Sequence, residues 1–339
     1  MLLTPGPRLL LTALVALAAG GLPHAHPRLS EREAVRVQSP KSDVAFTLAV
    51  LRRDGAIIPF GSYSGGRWAN HWPAPGQRPD IPIVLSGSPK SWWLNGRPAG
   101  FWMAWPMRGD SRVVYVKGVV NLTVECQPQI GLQTDYSSIE PPGPREMQPH
   151  PKDGLASAGD VLIEPPEILN AQSADWAKVA PEVSTKVTDA ETKLLVSRHV
   201  TLSMTEPERR KREFTLEVLV RSPGARPGTT LLYFEGVKRY APGRDSWRGF
   251  QLGPQLLTYA VGFIVLDPQA PARIIETVTL SDDKREGLLY TLPLGSFRVD
   301  GKLYWAVQRS GWGYERFDVL EMAEPDIKPA LETPGGSCR

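Results

Sequence analysis

The apolar and β-branched residues of this 339-residue chain fall into short runs separated by turn residues. Runs rich in Val, Ile, Leu, Tyr and Thr, bounded by Gly, Pro, Asp or Ser, are typical of antiparallel strands. They predict about eleven strands: 44–52, 56–63, 113–125, 196–204, 214–221, 229–237, 257–266, 273–280, 288–292, 302–308 and 314–321. The first two runs flank Asp54-Gly55, and Asp-Gly between such runs is a strong hairpin signal.

The spacing of these runs also predicts the fold class. Because helices do not alternate with the strands, a doubly wound parallel sheet is disfavoured. The expected fold is all-β and mainly antiparallel, of the propeller-like, barrel or sandwich type. One amphipathic helical segment, 174–195, is inserted in it.

The helical segment is identified by its apolar period. Ser173 is suited to the N-cap, and the apolar residues that follow recur every three or four positions: Trp176, Ala180, Val183, Val187, Ala190 and Leu194. Since proline is tolerated in the first turn of a helix, Pro181 predicts a short helix at 174–180 and a second one at 181–195. We expect the apolar stripe to pack on a sheet rather than to bind a partner.

Two further segments are predicted to be irregular. The proline-rich stretch 140–167 is typical of an extended loop, and we expect it to be inserted in one β-rich domain spanning 40–323. Residues 324–339 contain Pro-Gly-Gly-Ser and are expected to form a flexible C-terminal tail.

The N-terminus has the layout of a secretory signal peptide. Arg8 precedes an apolar run at 9–19 that ends in small residues. The small-x-small pattern predicts a signal peptide at 1–18 with cleavage after Ala18, and a cut near Ala25 is the alternative. The run is shorter than the roughly 20 apolar residues of a membrane-spanning helix, so no span is expected after signal removal. The expected location is the periplasm or the extracellular space.

Charge and motifs exclude several classes of partner. The 39 Lys and Arg against 36 Asp and Glu leave a net charge of +3, which provides no strong field for nucleic acid. The chain has no phosphate-cradling loop or dinucleotide fingerprint. Its Cys and His residues lack the spacing of metal ligands, so neither a cofactor nor a metal is expected. No feature of the sequence predicts an oligomeric state.

The two cysteines, Cys126 and Cys338, allow two interpretations. Export would place them where a disulfide persists, and that disulfide would close a loop of 212 positions. The alternative is a free or loosely tethered thiol, because Cys338 lies in the predicted tail. Both interpretations remain open at this point.

Tryptophans are concentrated near the N-terminus. Six of the ten fall within 38 positions: Trp68, Trp72, Trp92, Trp93, Trp102 and Trp105. Indole faces next to amide and charged side chains such as Asn95 and Arg97 could stack on sugar rings or on protein side chains. The alternative is that these rings build the core and anchor loops.

No catalytic constellation stands out in the sequence. Three aspartates near the aromatic segment, Asp54, Asp80 and Asp110, are candidates for the acid and base of glycoside hydrolysis, which requires a defined distance between two carboxyl groups. The leading hypothesis is a non-catalytic binding or scaffold protein whose Trp-rich loops contact glycan or an envelope protein. The alternative is a carboxylate-based hydrolase of extracellular polysaccharide.

Overall fold

The computed structural model describes residues 43–77, 83–139, 152–170, 172–198, 204–240, 246–247, 250–251, 256–282, 288–323 and 326–338. The predicted signal peptide and Asp80 lie outside these ranges. The fold is mainly antiparallel β, as expected, with a six-strand barrel, two antiparallel five-stranded sheets and one long helix. All described strands belong to one unit, Lys41–Arg339.

The first half of the chain forms the barrel. Its strands are β1 (Ala45–Arg52), β2 (Ala56–Ser64), β3 (Arg67–Ala69), β4 (Phe101–Pro106), β5 (Arg112–Val124), β6 (Gln127–Thr134) and β7 (Lys152–Gly159). The hydrogen-bonded order is β1-β7-β4-β5-β6-β2, and the predicted hairpin of β1 and β2 closes the ring. Strand β3 is added to β2 outside the ring. Closure pairs each ring strand on both sides, which removes open edges.

The interior of the barrel is a packed core. Residues two apart on a strand share a face, and one buried cluster takes such residues from every ring strand: Ala49, Leu51, Ile57, Trp102, Ala104, Val114, Ile130, Leu132 and Ala156. The largest of these side chains, Trp102, is 0% exposed. The barrel therefore encloses side chains rather than a channel.

The second half of the chain forms two open sheets. Its strands are β8 (Ile163–Glu164), β9 (Glu167–Ile168), β10 (Phe214–Pro223), β11 (Thr230–Arg239), β12 (Ser246–Trp247), β13 (Phe250–Gln251), β14 (Leu256–Asp267), β15 (Ala270–Asp282), β16 (Tyr290–Val299), β17 (Lys302–Gly311), β18 (Tyr314–Ala323) and β19 (Asp326–Ser337). The helix-side sheet has the order β15-β14-β11-β10-β9. The barrel-side sheet has the order β19-β18-β17-β16-β8, and β12 pairs with β13.

The long helix α1 spans Ala174–Ser197 and is followed by a short helix α2, Glu206–Arg210. The Ser173 Oγ accepts a hydrogen bond from the Trp176 N–H at 3.2 Å, so the predicted N-cap is confirmed. The helix continues through Pro181, and the predicted division there is wrong. Neither described helix combines the length and the hydrophobicity of a membrane-spanning segment.

Tertiary packing explains why α1 is not broken. Val183 and Val187 of the predicted apolar stripe are buried against the helix-side sheet, as expected, together with Val179, which the predicted stripe did not include. Proline removes one backbone hydrogen bond and strains one turn, whereas the burial of a continuous stripe stabilises the whole helix. The helix extends to Ser197, so the predicted strand 196–204 is wrong where its residues are described.

Successive side chains of a strand point to opposite faces of its sheet and so enter different layers of the core. In β17, Trp305 faces the helix-side sheet, where its ring centroid lies 5.6 Å from that of Phe263. The next residue, Ala306, belongs to the cluster between the barrel-side sheet and the barrel. In that cluster the Phe46 ring of β1 lies 5.9 Å from the Phe297 ring of β16. The layers are therefore helix, sheet, sheet and barrel, joined by continuous apolar contacts.

The C-terminal segment corrects a prediction. Residues Asp326–Ser337, expected to be a flexible tail, form β19, which pairs with β18. The Thr333 Oγ1 donates a hydrogen bond to the Phe60 carbonyl of the barrel at 2.8 Å. A Cβ on Gly336 would lie 2.6 Å from the Val124 carbonyl oxygen, so glycine permits this close approach. The Gly-rich sequence reflects contact with the barrel.

The predicted proline-rich loop 140–167 also contains a barrel strand, β7, between β1 and β4. Its sequence, Lys-Asp-Gly-Leu-Ala-Ser-Ala-Gly, lacks β-branched residues and gives no strand pattern. Small residues are required there, because a Cβ on Gly154 would lie 2.2 Å from the Trp105 carbonyl oxygen. Residues 140–151 lie outside the described residues.

Candidate functional site

The predicted ligand-binding tryptophans lie mainly in protein contacts. Trp102 fills the barrel interior, and Trp105 is buried, with its Nε1 donating to the Ser157 Oγ at 2.9 Å. Trp68 is half-buried, with its ring 5.1 Å from that of Tyr63 and 5.6 Å from that of Tyr304. These rings join strands and layers of the fold.

Three more tryptophans form a cluster in the loops between β3 and β4. The Trp72 ring lies 5.2 Å from that of Trp92 and 5.5 Å from that of Trp93. The Trp72 Nε1 donates to the Ile130 carbonyl at 2.8 Å, and the Trp93 Nε1 donates to the Ser88 Oγ at 2.8 Å. Trp72 and Trp93 are buried, and Trp92 is half-buried. This arrangement is that of loop anchors, and a role in stacking on a ligand stays a prediction.

The same segment presents two other aromatic side chains to solvent. Phe101 and Tyr115, which the sequence reasoning missed, are 65% and 60% exposed and lie directly opposite each other on β4 and β5. The next cross-strand pair, Trp102 and Val114, is buried inside the barrel. Because successive side chains point to opposite faces of a strand, Phe101 and Tyr115 lie on the outer wall. The sequence contained a signal for this exposure: Phe101 and Trp102 are adjacent on a strand, so only one of the two rings can face the barrel interior.

Two neighbours enlarge this surface into the barrel-wall patch, which we define as Phe101, Met103, Val113 and Tyr115. Met103 and Val113 form the cross-strand pair two positions along, on the same outer face. Val113 is exposed and Met103 is half-buried. The patch is thus a continuous apolar area on neighbouring strands.

Hydrogen bonds and polar groups surround the patch. The Tyr115 N–H donates to the Asp135 Oδ1 at 2.7 Å, and the Asp135 N–H donates to the Tyr115 carbonyl at 3.1 Å. Arg112 is exposed and its guanidinium carbon lies 4.8 Å from the centre of the Tyr136 ring. Asn95 and Arg97 are exposed in the loop that leads into β4. The backbone below the rings is therefore held in place, and polar side chains are available nearby.

Two of the candidate aspartates, Asp54 and Asp110, lie in connections between strands. The Asp54 Oδ2 accepts a hydrogen bond from the Arg52 Nη2 at 2.6 Å, and the Asp54 Oδ1 accepts from the Ala56 N–H at 3.2 Å. This is the arrangement of a hairpin-turn carboxylate paired with a buried arginine. Asp110 is exposed between β4 and β5, and Asp80 lies outside the described residues.

The two cysteines form a disulfide, with a Cα–Cα distance of 4.6 Å. Of the two interpretations of the sequence, the disulfide is the one found. Cys126 lies in the turn between β5 and β6, and Cys338 follows β19. The bond therefore links the barrel covalently to the barrel-side sheet.

Two buried carboxyl groups, Glu191 and Glu235, are engaged within the protein. The Lys238 Nζ lies 3.2 Å from the Glu191 Oε2 between α1 and the helix-side sheet, and burial lowers the pKa of Lys238. Glu235 accepts from the Tyr233 hydroxyl and from the Thr291 N–H, and burial raises its pKa. No group of metal-ligating side chains occurs among the described residues. These pairs fasten the layers together.

Comparison with protein families, with curated proteins and with solved structures finds no match to this chain. The barrel-wall patch is the exposed aromatic surface in the segment for which the sequence predicted ligand binding. Its chemistry is that of two exposed rings on paired strands, beside the Asp135 carboxylate and the Arg112 guanidinium.

Proposed function

We propose that the chain is an exported, non-catalytic binding protein whose barrel-wall patch contacts a glycan. The observation that carries the proposal is the exposed cross-strand pair of Phe101 and Tyr115. Isolated exposed apolar residues are ordinary, whereas a continuous exposed patch with a polar rim marks a contact surface. Trp102 supports this wall from inside the barrel.

The chemistry of the patch suits a sugar ring. Aromatic rings offer flat apolar faces to the C–H groups of a pyranose, and the tyrosine hydroxyl can exchange hydrogen bonds with sugar hydroxyls. Exposed Asn95, Arg97 and Asp135 provide further donors and acceptors close in sequence or in contact with the patch. A patch on strands also loses little conformational entropy on binding, since its backbone is already ordered.

The hydrolase alternative receives less support. Glycoside hydrolysis needs two carboxyl groups roughly 5 to 9 Å apart that face one another across the substrate. Asp54 is paired with Arg52, and Asp110 is exposed in the connection between β4 and β5. The experiment below therefore also tests for hydrolysis of the bound polysaccharide.

The test is calorimetric titration of the protein with a panel of soluble polysaccharides. We expect saturable binding. Phe101→Ala and Tyr115→Ala should each weaken it about tenfold, because each removes one ring that contacts the sugar. A tenfold loss corresponds to about 1.4 kcal/mol of binding free energy. The matched control is Trp312→Ala, which removes a 79% exposed ring from the turn between β17 and β18. Its affinity should equal that of the unaltered protein.

Three results would overturn the proposal. If no polysaccharide binds, the patch is not a glycan site. If Trp312→Ala weakens binding as much as Phe101→Ala, the contact lies elsewhere. If a reducing-end assay of any binding polysaccharide detects new chain ends, the protein is the hydrolase. Export is tested separately by N-terminal sequencing of the secreted product, where a start after Ala18 or near Ala25 is expected.

A further inference from the structure

A cleft opens at one end of the stacked sheets, far along the chain from the barrel-wall patch. It lies where the turns after β10 and β16 meet the C-terminal end of β18, and its volume is about 530 Å³. Ligand-binding clefts commonly have volumes of about 300 to 1,000 Å³. We name this space the sandwich cleft; Leu303 and Met322 are among its lining residues.

The floor of the sandwich cleft is apolar. A narrow pocket shares Ala225, Arg273 and Met322 with the cleft and continues between the sheets to the apolar side chains of Leu231 and Val265. Its free volume of about 10 Å³ is close to the minimum that holds one water molecule. This pocket is too small for an alkyl chain, so such a chain would lie in the sandwich cleft itself.

The rim of the sandwich cleft is cationic. Among the described residues, the cleft lining holds three cationic side chains, Arg226, Arg273 and Lys302, and one carboxylate, Glu321. The Lys302 Nζ lies 3.0 Å from the Glu321 Oε1, and the Arg226 Nη2 lies 3.0 Å from an oxygen of Asp267, outside the lining. Arg273 is exposed and has no ion pair with the described residues. The rim thus retains positive charge directly above an apolar floor.

We infer that the sandwich cleft binds a monocarboxylate with an apolar chain. The Arg273 guanidinium has the geometry to bind a carboxylate through two parallel hydrogen bonds. The chain would bury its apolar surface against Ala225 and Ala323 and against the small exposed parts of Leu303 and Met322. In most small-molecule sites a few polar groups orient a mainly apolar ligand in this way. This site is independent of the glycan proposal, because it shares neither residues nor ligand chemistry with the barrel-wall patch.

Octanoate is the probe for this site, titrated by calorimetry into the full chain below the concentration at which it forms micelles. We expect one saturable site. Acetate lacks the chain and 1-octanol lacks the charge, so each should bind at least tenfold more weakly. If acetate binds equally well, the site is a simple anion site and the inference is wrong. If 1-octanol binds equally well, the cationic rim has no role and the inference is also wrong.

Variants locate the octanoate site. Arg273→Glu should weaken octanoate binding at least tenfold, and Arg273→Lys, which keeps the charge but loses the planar pair of donors, should weaken it to an intermediate extent. The matched control, Arg67→Glu on strand β3, makes the same charge change on the barrel and should leave the affinity unchanged. Ala225→Leu narrows the cleft without a change in charge and should also weaken octanoate. Unchanged affinity in both Arg273→Glu and Ala225→Leu would refute the inference.

Discussion

The barrel and the stacked sheets solve the same packing problem differently. The barrel closes its hydrogen-bonded ring and fills the interior with side chains such as Trp102, so its outer wall is the surface left for contacts. The two open sheets are sealed on their faces by neighbouring layers, yet their ends are not closed, and the sandwich cleft opens there. Closure thus favours a surface patch, whereas stacking leaves space between layers.

The largest effect is expected from removal of the barrel's central ring. Trp102→Ala should reduce the free energy of unfolding by about 3 to 5 kcal/mol, because it leaves a large cavity in a closed core. Urea unfolding followed by circular dichroism measures this loss. The matched control is Trp312→Ala, at an exposed ring, which should change stability by less than about 0.5 kcal/mol. Similar losses in both variants would contradict the packed interior.

Removal of the disulfide that links the barrel to the barrel-side sheet should have the next largest effect on stability. Replacement of both Cys126 and Cys338 by serine should cost about 2 to 4 kcal/mol, because the disulfide restricts a long loop of the unfolded chain. Thermal unfolding of the double variant measures it. Unfolding in reductant should lower the midpoint of the unaltered protein to that of the double variant. A midpoint that reductant does not change would contradict the prediction.

The smallest effect concerns a carboxyl group buried between the stacked sheets. Burial raises the pKa of Glu235, so the unfolded chain loses this proton at a lower pH than the folded protein does. The unfolded state then binds fewer protons, and this group lowers stability as pH rises from the ordinary range of glutamate through the raised pKa. A tenfold difference between the acid dissociation constants of the folded and unfolded states corresponds to about 1.4 kcal/mol of stability.

Glu235→Gln tests this pH dependence, because glutamine resembles the neutral carboxyl and does not titrate. We expect the difference in stability between Glu235→Gln and the unaltered protein to move in favour of the variant as pH rises from about 4 to about 8. Glu182→Gln, at an exposed position on α1, is the matched control and should show no such trend. A trend in the opposite direction would show that the folded protein favours the ionised form of Glu235.

Much of the fold could be predicted from local patterns. The hairpin at Asp54-Gly55 and the N-cap at Ser173 depend on backbone bonds between residues close in sequence, and both were found as expected. Strand β7 could not be predicted, since its small residues matter only where the Trp105 backbone approaches Gly154. Strand β19 likewise depends on the barrel beneath it.

The candidate site, like the fold, has features that the sequence predicts and features that depend on tertiary contacts. From the sequence alone it followed that the chain is mainly antiparallel β, that aromatic residues gather between Trp68 and Trp105, and that two cysteines are available to pair. Only the tertiary structure decided that Trp102 lies inside the barrel while Phe101 lies outside, and that Cys126 meets Cys338. The reason is that local bonding and periodicity are encoded by neighbouring residues, whereas burial depends on which distant layer covers each face.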